Sequence, residues 1–145
     1  MADDLKTPPQ PHDEHHDAEP MGRATFTAFT NATPDDWQKI AAANAVFSRD
    51  HVKRLITHLN LLKGDCGGFP VDRLEHSLQT ATRAEADGAD IEMIVAALIH
   101  DIGDGLATVN HSQMAASVIE PYVRAEVTWV VRMHGLFQMQ YYAQF

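Results

Sequence analysis

Four histidines and one aspartate have the types and spacing of residues that hold metal ions: His76, His100, Asp101, His111 and His134. Imidazole nitrogens bind Fe, Zn, Mn or Cu, and carboxylate oxygens can bridge two ions. The adjacent His100 and Asp101 would point about 100° apart on a helix, so one can bind a first ion while the other reaches between two ions. A lone His-Asp pair is a weak signal, but four histidines on four consecutive predicted helices favour a metal site.

The hydrophobic periodicity predicts six helices and no strand, so the expected fold class is all-α. The first helix starts at the sequence Thr33-Pro34-Asp35-Asp36, which combines a cap residue, a proline and first-turn acids. The other five helices are expected over about 48–62, 71–87, 90–99, 110–119 and 123–134. In this pattern Ser48 caps the second helix, Gly88 ends the third and Gly135 ends the sixth, while Gly103 and Gly105 break the chain after the fourth. Each metal-ligand candidate then lies within a helix or at its end.

Residues 1–24 differ in composition from the rest of the chain and are expected to form a disordered acidic tail rich in His and Pro. They contain too few apolar groups to offset the entropy of ordering. Residues 25–145 are expected to form one domain, because 145 residues of which 45% are hydrophobic can build a single core. Five further histidines are not assigned to the metal site, since they lie in the tail or beside an apolar stripe: His12, His15, His16, His51 and His58.

The charge balance restricts the partners. Eleven Lys and Arg against twenty Asp and Glu give a net charge of −9, which repels nucleic acid and anionic membranes. The longest apolar run, residues 94–99, is too short to span a bilayer, and the N-terminus has no secretion signal. One cysteine, Cys66, permits no internal disulfide and suits a reducing compartment. We therefore expect a cytoplasmic protein with a small-molecule substrate.

The segment His100-Asp101-Ile102-Gly103 resembles the signature of the HD-domain superfamily, and the other three metal-ligand histidines fall where that superfamily places its own. The resemblance covers about residues 65–140 and is closest through residues 74–79 and 96–103. This form is similar to the branch associated with phosphonate breakdown. The characterised members of that branch are mixed-valence di-iron oxygenases related to myo-inositol oxygenase.

The resemblance implies an HD-domain helical bundle with a dinuclear metal site. In that site Asp101 would bridge two metals, His76 and His100 would bind the first, and His111 and His134 would bind the second. Two irons are the implied cofactor, and the alternative is another divalent metal such as Mn, Zn, Co or Mg.

Three functions remain open on this resemblance. The first is an oxygenase that acts on a small hydroxylated molecule. The second is a metal-dependent phosphohydrolase of a phosphoester, because most HD proteins are phosphohydrolases. The third is a truncated, non-catalytic module that binds metal and serves regulation.

The C-terminal region departs from the family pattern. The family's two-metal site takes a further Asp from a helix after the fourth histidine, and this chain has no Asp beyond Asp104. Residues 135–145 resemble the start of a helix that has been removed, or one that a second copy or a partner chain completes. The bundle is therefore expected to be short of its last helices, and its first metal to be the weaker one.

The substrate pocket is expected to include Cys66, Phe69 and Asp104, and the catalytic residues are expected to be Asp101 and Asp104. The oxygenases carry a Lys or His at the position of Asp104, and a Tyr and a Glu at the positions of Cys66 and Phe69. Asp104 would repel an anionic substrate if it faces the pocket. Otherwise it would cap the next helix or bind Arg132. Phe69 would pack over the site.

Overall fold

The computed structural model describes residues 21–144 of the chain, which form helices and no strand, so the predicted all-α class is confirmed. A short 3₁₀ helix (Phe29–Asn31) precedes seven α-helices: α1 (Pro34–Arg49), α2 (His51–Asn60), α3 (Arg73–Ala86), α4 (Ile91–Ile99), α5 (Asp104–Ala107), α6 (His111–Ile119) and α7 (Ala125–Tyr142). The tail expected over residues 1–24 lies outside the described residues, except for its last four. None of the helices within residues 21–144 is long and apolar enough to cross a membrane.

The described residues divide into two compact units with a boundary between His51 and Val52, that is, residues 21–51 and 52–144. In the described part of the first unit, α1 begins with a capping box. Thr33 Oγ1 accepts a hydrogen bond from Asp36 N (3.3 Å), and the Asp36 carboxylate accepts one from Thr33 N (2.9 Å). The bonds from Thr33, joined by one from Thr25 N, lower the pKa of the Asp36 carboxyl to about 2. The predicted start of α1 is confirmed, because these bonds satisfy N–H groups of the first turn.

The second unit is built on two helix pairs, α3 with α4 and α6 with α7, which are joined because α4 also packs on α7. Its buried core consists of eight apolar residues: Ala96, Ile99, Ile102, Ala115, Ala116, Ile119, Val127 and Val131. Three of these are alanines, whose short side chains let the helices approach closely. One core therefore fixes α4, α6 and α7 relative to one another.

The starts of α3 and α4 follow local signals in the sequence. Asp72 accepts a hydrogen bond from Glu75 N (2.8 Å), and Asp90 accepts one from Met93 N (3.1 Å). Gly88 follows the end of α3 with a φ of +76°, in the left-handed region that favours glycine. The predicted cap at Asp90 and the predicted end at Gly88 are both confirmed.

The predicted end of the last helix at Gly135 is wrong. α7 continues to Tyr142, since Gly135 does not adopt the left-handed conformation of a glycine that ends a helix. A Cβ atom on Gly135 would lie 3.1 Å from Ser112 Oγ of α6, so a larger side chain there would push the two helices apart. Residues 135–142, expected to start a separate helix, are the last turns of α7.

Three smaller expectations also differ from the structure. α1 runs through Ser48 to Arg49, so Ser48 does not cap α2. The short helix α5 includes Gly105, where a break was expected, and Gly103 is its N-terminal flanking residue. Asn110 precedes α6, but its side chain makes no capping hydrogen bond.

Candidate metal centre

The structure brings five residues together in one cluster, called here the His/Asp cluster: His76, His100, Asp101, His111 and His134. The cluster consists of two triplets that share Asp101. In each triplet the ligand atoms all lie within 4.8 Å of one another. The first triplet adds His76 and His100 to Asp101, and the second adds His111 and His134. Each triplet contains the histidine pair that the family resemblance assigns to one metal, together with the shared Asp101.

The two carboxylate oxygens of Asp101 face different histidine pairs. Oδ2 lies 3.5 Å from His76 Nε2 and 3.2 Å from His100 Nε2. Oδ1 lies 3.3 Å from His111 Nε2 and 3.2 Å from His134 Nε2. The carboxylate therefore lies between the two pairs, as a bridging ligand does.

Backbone carbonyls hold three of the four imidazole rings. The Nδ1 atoms of His100, His111 and His134 lie 2.8, 3.0 and 2.7 Å from the carbonyl oxygen of the residue three positions earlier. Because a carbonyl oxygen only accepts, Nδ1 must donate, and the lone pair of the neutral ring is then on Nε2. Within residues 21–144 the Nδ1 of His76 has no such carbonyl partner, and its side chain is the most exposed of the four, at 38%.

The ligand set fits a divalent transition metal in each triplet. The two Nε2 atoms lie 3.2 Å apart in the His76–His100 pair and 3.1 Å apart in the His111–His134 pair. Two nitrogens at about 2.1 Å from one ion lie roughly 3.0 Å apart when the angle between them is near 90°. Each triplet therefore places two imidazole nitrogens and one carboxylate oxygen at distances that suit the ligands of one cation.

The electrostatics of the cluster also favour a cation. Burial raises the pKa of Asp101, but the hydrogen bonds that His100 and His134 donate when protonated, and their positive charge in that form, hold that pKa well below its usual range. Burial lowers the pKa of His134, but its bonds to the Asp101 carboxylate and the Val131 carbonyl outweigh burial, so the net shift is upward. Burial and the nearby His100 lower the pKa of His76. Asp101 is therefore a buried anion that stabilises positive charge beside it.

A cavity of about 390 Å³ opens onto the cluster at His76, Asp101 and His111. Its other lining residues include Phe69, Arg73, Asp104, Thr108, Gln138 and Tyr142. This volume suits a small-molecule ligand. The cavity combines aromatic walls with a few polar groups beside the candidate metal ligands.

Residues 73–143 match the family model of the HD domain, and this range includes the whole His/Asp cluster. The chain therefore contains an HD domain over these residues. The chain is also similar to a 1-hydroxy-2-(trimethylamino)ethylphosphonate dioxygenase (glycine-betaine-forming) from Leisingera caerulea, with 38% identity over 78 residues. That match covers 46% of this chain and 40% of the relative, so the chain spans about two fifths of the relative's length. The predicted family and its similarity to an oxygenase branch are confirmed.

Two of the three expected pocket residues, Phe69 and Asp104, line the cavity of the HD domain. The third, Cys66, is exposed and lies outside the cavity lining, which corrects the expectation. The physical reason is a tight turn closed by a hydrogen bond from Phe69 N to Cys66 O (2.8 Å). The turn places these two residues at its opposite ends, and only Phe69 reaches the cavity.

Asp104 takes a partner that the sequence analysis missed. Its Oδ2 lies 2.6 Å from Arg73 Nε, whereas Arg132 pairs with Glu120 at 3.5 Å. Asp104 is the first residue of α5, and no side chain caps that helix. Both expectations, a helix cap and a bond to Arg132, are therefore wrong. The sequence did contain one indication that Arg73 lies near the site. Arg73 is three residues before His76, and this spacing places both side chains on one face of α3.

The other two histidines of residues 21–144, His51 and His58, belong to neither triplet. His58 Nε2 lies 3.1 Å from the carbonyl oxygen of Ile102, so this ring has a structural hydrogen bond. His51 is half-buried at the start of α2. His12, His15 and His16 lie outside the described residues.

Proposed function

We propose that this chain is a metal-dependent HD-domain oxygenase that acts on a small hydroxylated molecule. The observation that carries the proposal is the Asp101 carboxylate, which lies within 3.5 Å of one histidine pair on each side and so forms a ligand set for two ions. The similarity to a dioxygenase supports oxygenation as the reaction. Iron is the proposed metal, because imidazole and carboxylate ligands suit iron and the relative is a dioxygenase.

In this proposal His76 and His100 would hold one ion, His111 and His134 would hold the other, and Asp101 would be a ligand for both. When bound, two irons would supply the redox chemistry that an oxidation by O₂ requires. The carbonyl partners of three rings keep the ligands oriented before the metal arrives. Loss of one histidine is therefore expected to weaken one triplet more than the other.

The cavity supplies the substrate site. Phe69 and Tyr142 provide aromatic surface, while Thr108 and Gln138 provide groups that can hydrogen-bond a substrate hydroxyl. His76, Asp101 and His111 face the same space, so a molecule bound there would lie against the ions. This arrangement supports a small, polar substrate with an apolar portion.

A metal-dependent phosphohydrolase is the second candidate. Arg73 in the cavity wall favours it, because a guanidinium pairs well with phosphate. The same His/Asp cluster would also hold Mn, Zn or Co, which suits metal-assisted hydrolysis. The similarity to a dioxygenase ranks this candidate below the oxygenase.

Elemental analysis and oxygen uptake test the proposal. The full chain is purified anaerobically with iron supplied, beside a variant in which His12, His15 and His16 are Ala, so that metal bound by these three residues is counted separately. We expect about two irons per chain in both proteins, and O₂ uptake with one of a panel of small hydroxylated compounds. Turnover of a phosphoester without O₂ uptake would favour the phosphohydrolase. Less than one ion per chain in both proteins would reject the dinuclear site and leave a non-catalytic module.

A further inference from the structure

The cavity wall beside the His/Asp cluster contains a charge pair that the proposed metal ligands do not use. Arg73 Nε lies 2.6 Å from Asp104 Oδ2, and both residues line the cavity. Their side chains are only 24% and 10% exposed, so water screens the pair weakly. Asp104 Oδ1 also lies 3.7 Å from His111 Nδ1, which places the pair next to the second triplet.

Two further contacts fix the guanidinium of Arg73. Its Cζ atom lies 5.0 Å from the centre of the Phe69 ring, within the range of a cation–π contact. Gly67 also lies close to this group, because a Cβ atom built on Gly67 would lie 3.0 Å from Arg73 Nη2. Gly67 has a φ of +51°, so both its conformation and the nearby guanidinium favour glycine.

A fixed guanidinium is suited to bind an oxyanion. Nε is the guanidinium nitrogen of Arg73 that lies nearest to the Asp104 carboxylate. The two terminal nitrogens, Nη1 and Nη2, can therefore donate hydrogen bonds to a ligand. Their planar fork matches a carboxylate or a phosphorus oxyanion. Little side-chain entropy is lost on binding, because Asp104 and Phe69 already hold the group in place.

The other positively charged or protonatable side chains that line this cavity, His76 and His111, belong to the His/Asp cluster. Asp104 also faces the cavity, where it was expected to repel an anion, but its ion pair with Arg73 offsets its charge. Arg73 is therefore the residue of the described cavity wall that can recognise an anion without displacing a metal ligand. The −9 net charge of the chain does not favour anions at long range, so recognition must come from directed hydrogen bonds at short range.

We propose that Arg73 determines substrate specificity by binding an oxyanion at one end of the substrate, and that Asp104 is the residue that positions Arg73. The group that Arg73 would bind is then a carboxylate or a phosphorus oxyanion, held in the cavity beside the His/Asp cluster. This inference rests on the proposed function at one point: the anion that binds Arg73 is taken to be part of the substrate.

Three probes of similar size test the inference: glycolate, hydroxymethylphosphonate and ethylene glycol. Their affinities are measured by calorimetry on the full chain as purified, with the metal content of each sample determined. We expect at least one of the two anions to bind more tightly than ethylene glycol, and the preferred anion identifies the oxyanion. Arg73→Gln should weaken binding of that anion roughly tenfold to a hundredfold, the usual range for a lost hydrogen bond to a charged group, and leave binding of ethylene glycol unchanged.

Two further variants separate recognition from folding. The double variant Arg73→Gln/Asp104→Asn removes both charges, so no buried carboxylate is left unpaired, and it should show the same loss of anion affinity. Arg83→Gln changes an exposed arginine of the same helix and should show no loss. Equal anion affinity in wild type and the double variant, an equal loss for ethylene glycol, or no preference of wild type for either anion would overturn the inference. Anion binding that depends on Arg73 in a chain without metal would instead reject the proposed function alone.

Discussion

At the scale of single residues, the His/Asp cluster depends most on Asp101, because it alone contributes to both triplets. Its side chain is 8% exposed, and each oxygen lies within 3.5 Å of two imidazole nitrogens. A histidine variant removes one ligand from one triplet. A variant of Asp101 removes a ligand from both and leaves four imidazoles without the anion that favours a cation among them.

We therefore expect Asp101→Ala to lose most of the bound metal, with a fall in metal affinity of roughly tenfold to a hundredfold or more. The measurement is metal content per chain by elemental analysis after dialysis. His12→Ala, which removes a histidine far from the cluster in sequence, is the control and should retain the wild-type content. Equal metal content in the two variants would mean that Asp101 is not a ligand.

The sequence predicted the five residues of the cluster because metal ligands are restricted to a few residue types at a characteristic spacing. It did not predict the partner of Asp104. Any of several arginines could reach a carboxylate, and the choice between Arg73 and Arg132 depends on how α3, α5 and α7 are oriented. An ion pair between residues 31 positions apart is a property of the packed helices rather than of a local pattern.

At the scale of helices, the contact between α6 and α7 sets the second triplet. His111 is the first residue of α6, and His134 lies in α7 directly before Gly135. The absence of a side chain at Gly135 lets α7 approach Ser112, the neighbour of His111. The spacing of 3.1 Å between the two Nε2 atoms therefore depends on this close approach.

We expect Gly135→Val to destabilise the fold by about 1–3 kcal/mol, the usual cost of overpacking, and to weaken metal binding at the second triplet. Chemical denaturation and metal content measure the two effects. Gly105→Val is the matched control, because a Cβ at Gly105 meets only Leu62 Cδ2 at 4.0 Å, and this exposed glycine lies in another helix. The free energy of unfolding of the Gly105→Val variant should differ from that of the wild type by no more than about 0.5 kcal/mol. Equal destabilisation by both variants would show that the α6–α7 contact is not tight.

The starts of helices were predictable where the signal is local. The caps formed by Thr33 and Asp90 bond to backbone groups three residues away, so the sequence alone contains both partners. The end of α7 was not predictable in this way. Gly135 has the sequence signature of a helix end, but it lacks the positive φ of a terminating glycine, and its contact with α6 is a reason for glycine that the sequence does not show.

At the scale of the whole molecule, the two triplets differ in how firmly they are built. The second triplet has carbonyl partners for both of its rings, and their side chains are 22% and 13% exposed. In the first triplet only His100 has such a partner, and His76 is the more exposed ring. Ligands that are held in place before binding lose less entropy, so the second triplet should bind its ion more tightly.

The difference in affinity between the two triplets predicts that a chelator removes the two ions in two steps. The ion held by the triplet that contains His76 should be lost first. His76→Ala should retain about one ion per chain, and added metal should still raise its thermal unfolding midpoint, since a ligand at 100 times its Kd stabilises a fold by about 2.7 kcal/mol. His111→Ala, the counterpart in the second triplet, should lose more metal and show the smaller shift. Elemental analysis and thermal denaturation with and without metal measure both quantities. If His111→Ala retained more metal than His76→Ala, the carbonyl bonds to the rings would not control affinity, and the exposed His76 would be the stronger ligand.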